Sequence, residues 1–262
     1  MRFSTLAAFI ALVASASAQT ISGQYDCMPA GAYTLCQNLW GESAGVGSQS
    51  STLLSANGNS VSWRTVWNWQ NNPNNVKSYA NVEHNSAKGV QLSRLSSAPT
   101  AWQWEYESKS NPIRADVSYD IWLGNQPTGN PASSASSYEI MIWLSGQGGI
   151  QPVGSQIQSG ISIAGHTWNL WRGPNANWQV LSFVSANGDI TNFNADLKSF
   201  FGVFLAFQSQ TTNSDDNGGA DYLVQNQGVS TSQYVQAIQT GTEPFTGSAS
   251  LLTQNFNVAL NQ

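Results

Sequence analysis

The chain has 262 residues, with only 9 Lys or Arg against 14 Asp or Glu and a formal net charge of −5. Charge this sparse and acidic, with no basic patch, excludes a nucleic-acid partner, and two cysteines with two isolated histidines exclude a zinc-type cluster. The chain abounds in Ser, Asn, Gln, Gly and Trp (11 of the last), a stock of neutral hydrogen-bonding groups and aromatic faces that suits a neutral polyhydroxylated ligand. Polar, Trp-rich composition is also common among secreted β-proteins, so composition alone leaves sugar binding open.

Residues 1–18 read as a secretory signal peptide. Arg2 gives a positive start, Leu6 to Val13 is apolar, and Ala16-Ser-Ala18 is a small-residue cleavage signal. The apolar run is too short to cross a membrane, which takes roughly 20 residues. Residues 19–262 are then expected to form a single soluble, extracellular domain with no membrane contact, in the size range of one all-β sandwich. Cys27 and Cys36 flank Pro29-Ala-Gly31, which is turn chemistry, so in an oxidising compartment they are expected to staple a hairpin. No Asn-x-Ser/Thr sequence occurs, which predicts no N-glycosylation.

Strand signals follow at short spacing. Val61–Trp69, Ala101–Tyr106, Arg114–Trp122, Tyr138–Leu144, Thr167–Trp171 and Trp178–Val184 alternate apolar and polar residues and are separated by Asn, Gly, Pro and Ser clusters. Many short strands predict an all-β sandwich or jelly roll. Gln70 to Asn75 and Thr211 to Ala220 read as polar loops. The second carries Asp215-Asp216-Asn-Gly-Gly, a sequence that also suggests calcium but lacks the regular ligand spacing of a calcium loop. One helix is expected near residue 197, capped by Asn194 with Asp196 in its first turn. Leu197, Phe200, Phe201 and Phe204 fall at helical spacing, as core material covering the outer face of a sheet. His84 and His166 read as surface or packing histidines.

Three acidic residues stand apart because they sit in strand-forming segments. In the 138–144 strand, period 2 places Glu139, Met141 and Trp143 on one face and Tyr138, Ile140, Ile142 and Leu144 on the other. A carboxylate beside an indole and a thioether is a sensible floor for a sugar cleft; a buried structural glutamate fits the same pattern. In the 114–122 strand, Asp116, Ser118, Asp120 and Trp122 share a face. If the two strands pair, Asp120 is placed to hydrogen-bond Glu139, and two close carboxyls disfavour double ionisation; a turn-proximal carboxylate is the other reading of Asp120. Glu243 follows Gly241-Thr242 and precedes Pro244, where glycine permits close backbone approach and proline ends or edges a strand. By itself that motif also fits a plain loop glutamate.

Five segments occur in an order that resembles glycoside hydrolase family 12: Asn38-Leu-Trp40-Gly41, Asn75-Val-Lys-Ser-Tyr79, Ala115-Asp-Val-Ser-Tyr-Asp120, Tyr138-Glu-Ile-Met-Ile-Trp-Leu144 and Gly241-Thr-Glu-Pro-Phe-Thr-Gly247. The resemblance runs through residues 22 to 262. It implies a jelly roll of two curved antiparallel sheets with an open concave cleft and one covering helix. It implies retaining endo-hydrolysis of β-1,4-glucan, with no cofactor or metal, by a monomer. By resemblance Glu139 is the nucleophile, Glu243 the acid/base and Asp120 the carboxylate that assists the nucleophile. Asn38 and Trp40 would contact glucan on the non-reducing side, Met141 and Trp143 would form the floor, and Tyr25, Gln239 and Pro152 complete the substrate-binding set. Tyr25 stands where a relative has Trp, and the Cys27–Cys36 bridge is shorter than the usual one. Pro131–Ser137 lacks a Tyr-Ser-Gly found in cellulases of the family, as in its xyloglucan-active branch. Gly148–Gly154, which includes Pro152, is similar to the loop that crosses the cleft beyond the cut. A retaining pair predicts carboxyl groups about 5 to 6 Å apart. A non-catalytic glucan-binding sandwich and a xylanase on a similar jelly roll are the competing readings.

Overall fold

Of the fifteen strands among the described residues, six were expected from alternation in the sequence, and all six form. The computed structural model describes residues 18–201 and 222–262; the expected leader, Phe204 and the Thr211–Ala220 loop lie outside these. The strands are β1 (Gln19–Ile21), β2 (Cys27–Ala30), β3 (Tyr33–Cys36), β4 (Val46–Asn57), β5 (Ser60–Gln70), β6 (Ala80–His84), β7 (Pro99–Lys109), β8 (Arg114–Gly124), β9 (Ser136–Gln147), β10 (Ser155–Ile163), β11 (His166–Asn175), β12 (Trp178–Ser185), β13 (Asn192–Asp196), β14 (Tyr234–Thr242) and β15 (Pro244–Val258). Two short helices, α1 (Lys198–Phe201) and α2 (Tyr222–Gln227), are seen where one was expected.

The outer layer runs β1-β4-β5-β15-β7-β13. The cleft-bearing layer runs β2-β3-β6-β14-β8-β9-β12-β11-β10. β15 pairs with β8 at its start and with β5 and β7 thereafter, so it passes from one layer to the other. Every pairing is antiparallel except that of β12 with β9, which is parallel. The Cys27–Cys36 bridge forms across directly opposed residues of the β2–β3 hairpin, as the turn chemistry predicts.

The core lies between the layers. In β5 the side chains of Val61, Trp63, Thr65, Trp67 and Trp69 turn inward in strict alternation, and Trp102 and Trp104 of β7 meet them. Trp63 stacks on Trp102 with centroids 6.4 Å apart, and Trp102 meets Tyr119 edge-on at 5.2 Å. Burying each such ring stabilises the fold by a few kcal/mol, at roughly 25 cal/mol per Å² of apolar area.

β8 is buried from Ala115 to Gly124. One face (Val117, Tyr119, Ile121, Leu123) enters the core and the other (Asp116, Ser118, Asp120, Trp122) lies beneath the cleft, as period 2 predicts. Ile140, Ile142 and Leu144 of β9 likewise enter the core.

The helix differs from expectation. Asn194 does not cap it, because Asn192–Asp196 pairs with β7 as a strand. Asp196 instead accepts the Lys198 N–H at 2.9 Å. Leu197, Phe200 and Phe201 are buried core residues, as expected. They do not cover an outer face, because Phe200 packs between the layers against Trp168, Phe183 and Phe193.

Candidate active site

The concave layer carries a cleft of about 740 Å³, lined by Asn38, Trp40, Asp120, Glu139, Gln239 and Glu243 among others. Register explains how distant residues meet there. β8 lies between β14 and β9, with Asp120 opposite Gln239 on one side and Met141 on the other, and Trp122 opposite Glu139. Glu243 is the single residue between β14 and β15, and its chain position is clamped. Asp116 accepts the Glu243 N–H on Oδ1 at 2.9 Å, the Asp116 N–H donates to Glu243 O at 3.2 Å, and Thr242 Oγ1 donates to Asp116 O. Pro244 opens β15 rather than ending a strand, because the chain turns from one layer into the other at this point. Gly241 must be glycine, since a Cβ there would lie 2.0 Å from Ala80 O.

The segment 75–79 braces this corner. Lys77 is fully buried, and its ammonium donates to Asn72 O (2.9 Å), Asn75 O (2.6 Å) and Phe245 O (2.9 Å). Its own N–H donates to Pro244 O, and its O receives Gly41 N–H beside Trp40. Tyr79 donates its hydroxyl to Ser118 O at 3.0 Å and its N–H to Asn38 O at 3.0 Å. Asn38 holds φ of 47°, a left-handed conformation that asparagine tolerates better than most residues.

Asp120, Glu139 and Glu243 line the cleft and Asp116 is buried behind Glu243, and each of these four carboxyls is pushed above its ordinary range by loss of water. Glu139 rises to about 7 through burial; the Trp178 indole N–H, 2.6 Å from Oε2, opposes the rise by favouring the anion. Glu243 rises well above the usual glutamate value through burial and then the adjacent Asp116, Glu139 and Asp120 charges. Asp116 rises to about 7 and Asp120 well above its ordinary value, burial leading in both. The two glutamates thus differ. Glu139 has an indole donor that favours its anion, whereas Glu243 faces neighbouring carboxyls that favour its protonated form. Such a split lets one group give a proton while the other carries charge.

The sequence-predicted residues meet unevenly. Asn38, Trp40, Tyr25, Gln239, Asp120, Glu139 and Glu243 all line the cleft. Trp40, 52% exposed, offers a free stacking face. Met141 and Trp143 lie on the expected face but are covered, packed with Trp122, Trp178 and Phe245. Pro152 is buried and lies outside this cavity. Asp120 and Glu139 interact as charges and not through the expected hydrogen bond; Asp120 Oδ1 has no partner. Sequence reasoning missed Trp178, Asn175 and Tyr79 as cleft residues and Asp116 as the clamp on Glu243. Asp116 was on the right face of the right strand; nothing local linked it to residue 243.

Residues 31–261 match the sequence profile of Glycosyl hydrolase family 12. The chain belongs to that family. Glycosyl hydrolase family 12 relatives cover nearly all of it. The xyloglucan-specific endo-β-1,4-glucanase A of Emericella nidulans is 41% identical over 96% of this chain and 98% of its own. The crystal structure of Trichoderma harzianum endoglucanase 3 superposes with a TM-score of 0.80 at 36% identity, covering 95% of this chain and 100% of that one. The catalytic domain of Humicola grisea Cel12A, solved with a soaked thio-cellotetraose, gives 0.79 at 33% identity over 93% and 99%. The jelly-roll expectation and the family resemblance are therefore borne out, and the protein is a glycoside hydrolase.

Proposed function

We propose that the protein is a secreted, monomeric, retaining endo-β-1,4-glucanase that cleaves plant cell-wall glucan, xyloglucan included, with residues 19–262 as its one catalytic domain. The observation that carries the reading is the pair Glu139 and Glu243, two carboxyls in one cleft, both raised by burial but unequally, since the Trp178 indole favours the Glu139 anion while neighbouring carboxyls favour protonated Glu243. In this reading Glu243 protonates the leaving glycosidic oxygen while Glu139 attacks the anomeric carbon, forming a glycosyl-enzyme ester. Glu243 then removes a proton from water, the hydroxide attacks the same carbon, and Glu139 leaves as carboxylate. Asp120, beneath Glu139, resists a second negative charge and so favours transfer of charge to the sugar. Trp40 stacks on a pyranose, with Asn38, Tyr25 and Gln239 on the same side and Met141, Trp143 and Pro152 serving as support.

Xyloglucan is favoured by the xyloglucan-specific relatives and by the Pro131–Ser137 segment, which lacks the Tyr-Ser-Gly of the family's cellulases and lines the cleft with the small side chains Pro131 and Ala132. Secretion is supported by the 1–18 sequence pattern and by the disulfide.

Reducing-sugar release from xyloglucan, barley mixed-linkage glucan, carboxymethyl cellulose and xylan tests the reading. Glucan cleavage with retained anomeric configuration in the first products is expected. Binding without cleavage, or cleavage of xylan alone, would overturn it.

A further inference from the structure

Among the described residues, the cleft is lined by four carboxyls, Glu83, Asp120, Glu139 and Glu243, and one lysine, Lys88, which is engaged 3.2 Å from Glu83 on β6. No cation therefore neutralises Glu139. Its charged neighbours are Asp120 on β8 and Glu243 between β14 and β15, and behind these stand Asp116 on β8 and Tyr79 ahead of β6, all anionic or neutral groups. On the opposite side are the neutral side chains of Asn175 on β11 and Trp178 on β12. Trp178 Nε1 donates to Glu139 Oε2 at 2.6 Å, a short, charge-assisted geometry. The indole is itself held. It is almost fully buried and meets Trp122 edge-on at 5.2 Å. The parallel β9–β12 pairing, with Val180 opposite Glu139, fixes its strand against the glutamate's.

We infer that Trp178 is a positioning residue for the proposed reaction, occupying Oε2 of Glu139 so that the side chain keeps one rotamer and Oε1 is left to attack the sugar. In a cluster without a positive charge, this neutral donor is the main group that favours the Glu139 anion, Asn175 adding less. The inference rests on Glu139 being the nucleophile.

The experiment is the pH profile of kcat and kcat/KM on soluble xyloglucan for Trp178→Phe, which keeps a ring and removes the N–H. A second variant carries benzothienylalanine at position 178, which keeps the indole shape with sulfur in place of N–H and serves if the first does not fold. The expected kcat is lower by about ten- to a hundredfold, the scale of a lost hydrogen bond to a charged group, with KM changed little. The acid limb of kcat/KM should move to higher pH by about one unit, because losing a donor to the charged form raises a carboxyl pKa. A purely structural role would lower activity at all pH values alike. An unmoved acid limb in a folded variant overturns the inference. The Glu139→Gln variant separates the two readings: if it stays active, the nucleophile assignment itself has failed; if it is dead while the position-178 variants keep the wild-type profile, only the inference has.

Discussion

Asp116→Asn should make the protein more stable at pH 8 and leave it nearly unchanged at pH 4. Asp116 is wholly buried, and its Oδ2 has no hydrogen-bond partner. Asparagine keeps Oδ1 as acceptor for the Glu243 N–H and the Ser118 hydroxyl, so the clamp on Glu243 survives. What disappears is the cost of ionising a carboxyl without water. The group's pKa is raised from 3.8 to about 7 in the folded protein, chiefly by burial. A carboxyl raised on folding contributes stability below its unfolded pKa and loses it as pH climbs through the folded one. Three units correspond to about 4 kcal/mol at most, at about 1.4 kcal/mol per unit. The new amide N–H must find an acceptor, and Glu243 shares the proton equilibrium, so about half of that is expected to survive. For a chain of this size, about 2 kcal/mol raises the melting temperature by about 4–8 °C. Thermal denaturation at pH 4, 6 and 8 measures it: the variant's advantage should grow with pH. An increment that is equal at pH 4 and 8, or a variant less stable than wild type at pH 8, would refute the reasoning.

Lys77→Met removes a buried charge whose pKa burial already lowers, but it strands three main-chain carbonyls. At about 1–3 kcal/mol per orphaned group, partly offset by relief of the buried ammonium, a net loss of about 2–4 kcal/mol is expected in denaturant titration; an unchanged midpoint would count against the brace. Glu139→Gln should abolish hydrolysis while glucan binding, assigned in the proposed reading to Trp40 and Asn38, persists in calorimetry. Glu243→Ala should be crippled on polysaccharide yet partly restored by azide on substrates with good leaving groups; no restoration would argue against its acid/base role. The kcat/KM ratio for xyloglucan over mixed-linkage glucan should be at least about one, since branch contacts that strengthen in the transition state raise it; a ratio far below one would make the Pro131–Ser137 loop irrelevant to substrate choice.

What the sequence made legible was what one strand decides alone. Period 2 placed Glu139 and Asp120 on the face that the fold turns to the cleft, and separated them from Ile140, Ile142, Tyr119 and Ile121, which fill the core. Where an element is decided by its neighbours, the signal failed. Asn194 and Asp196 carry helix-capping chemistry, but pairing with β7 satisfies their backbone first and the helix begins at Lys198. β15 escaped notice because Thr246-Gly-Ser-Ala-Ser250 is small and polar; it is a strand because β5 and β7 flank it on both sides.

The same division separates the two halves of the site. The carboxylates are single-strand facts, but the groups that set their protonation are facts of pairing. Asp116 reaches Glu243 only because β14 returns beside β8 and the chain then turns at Pro244. Trp178 reaches Glu139 only because β12 joins β9 in parallel, a register that no local pattern encodes. In the proposed mechanism, two glutamates of like chemistry are thus given unlike tasks by partners contributed from other strands. If that is so, exchanging the neighbours should do more to the pH profile than moving the carboxylates along their own strands, and Asp116→Asn and Trp178→Phe should perturb different limbs of it.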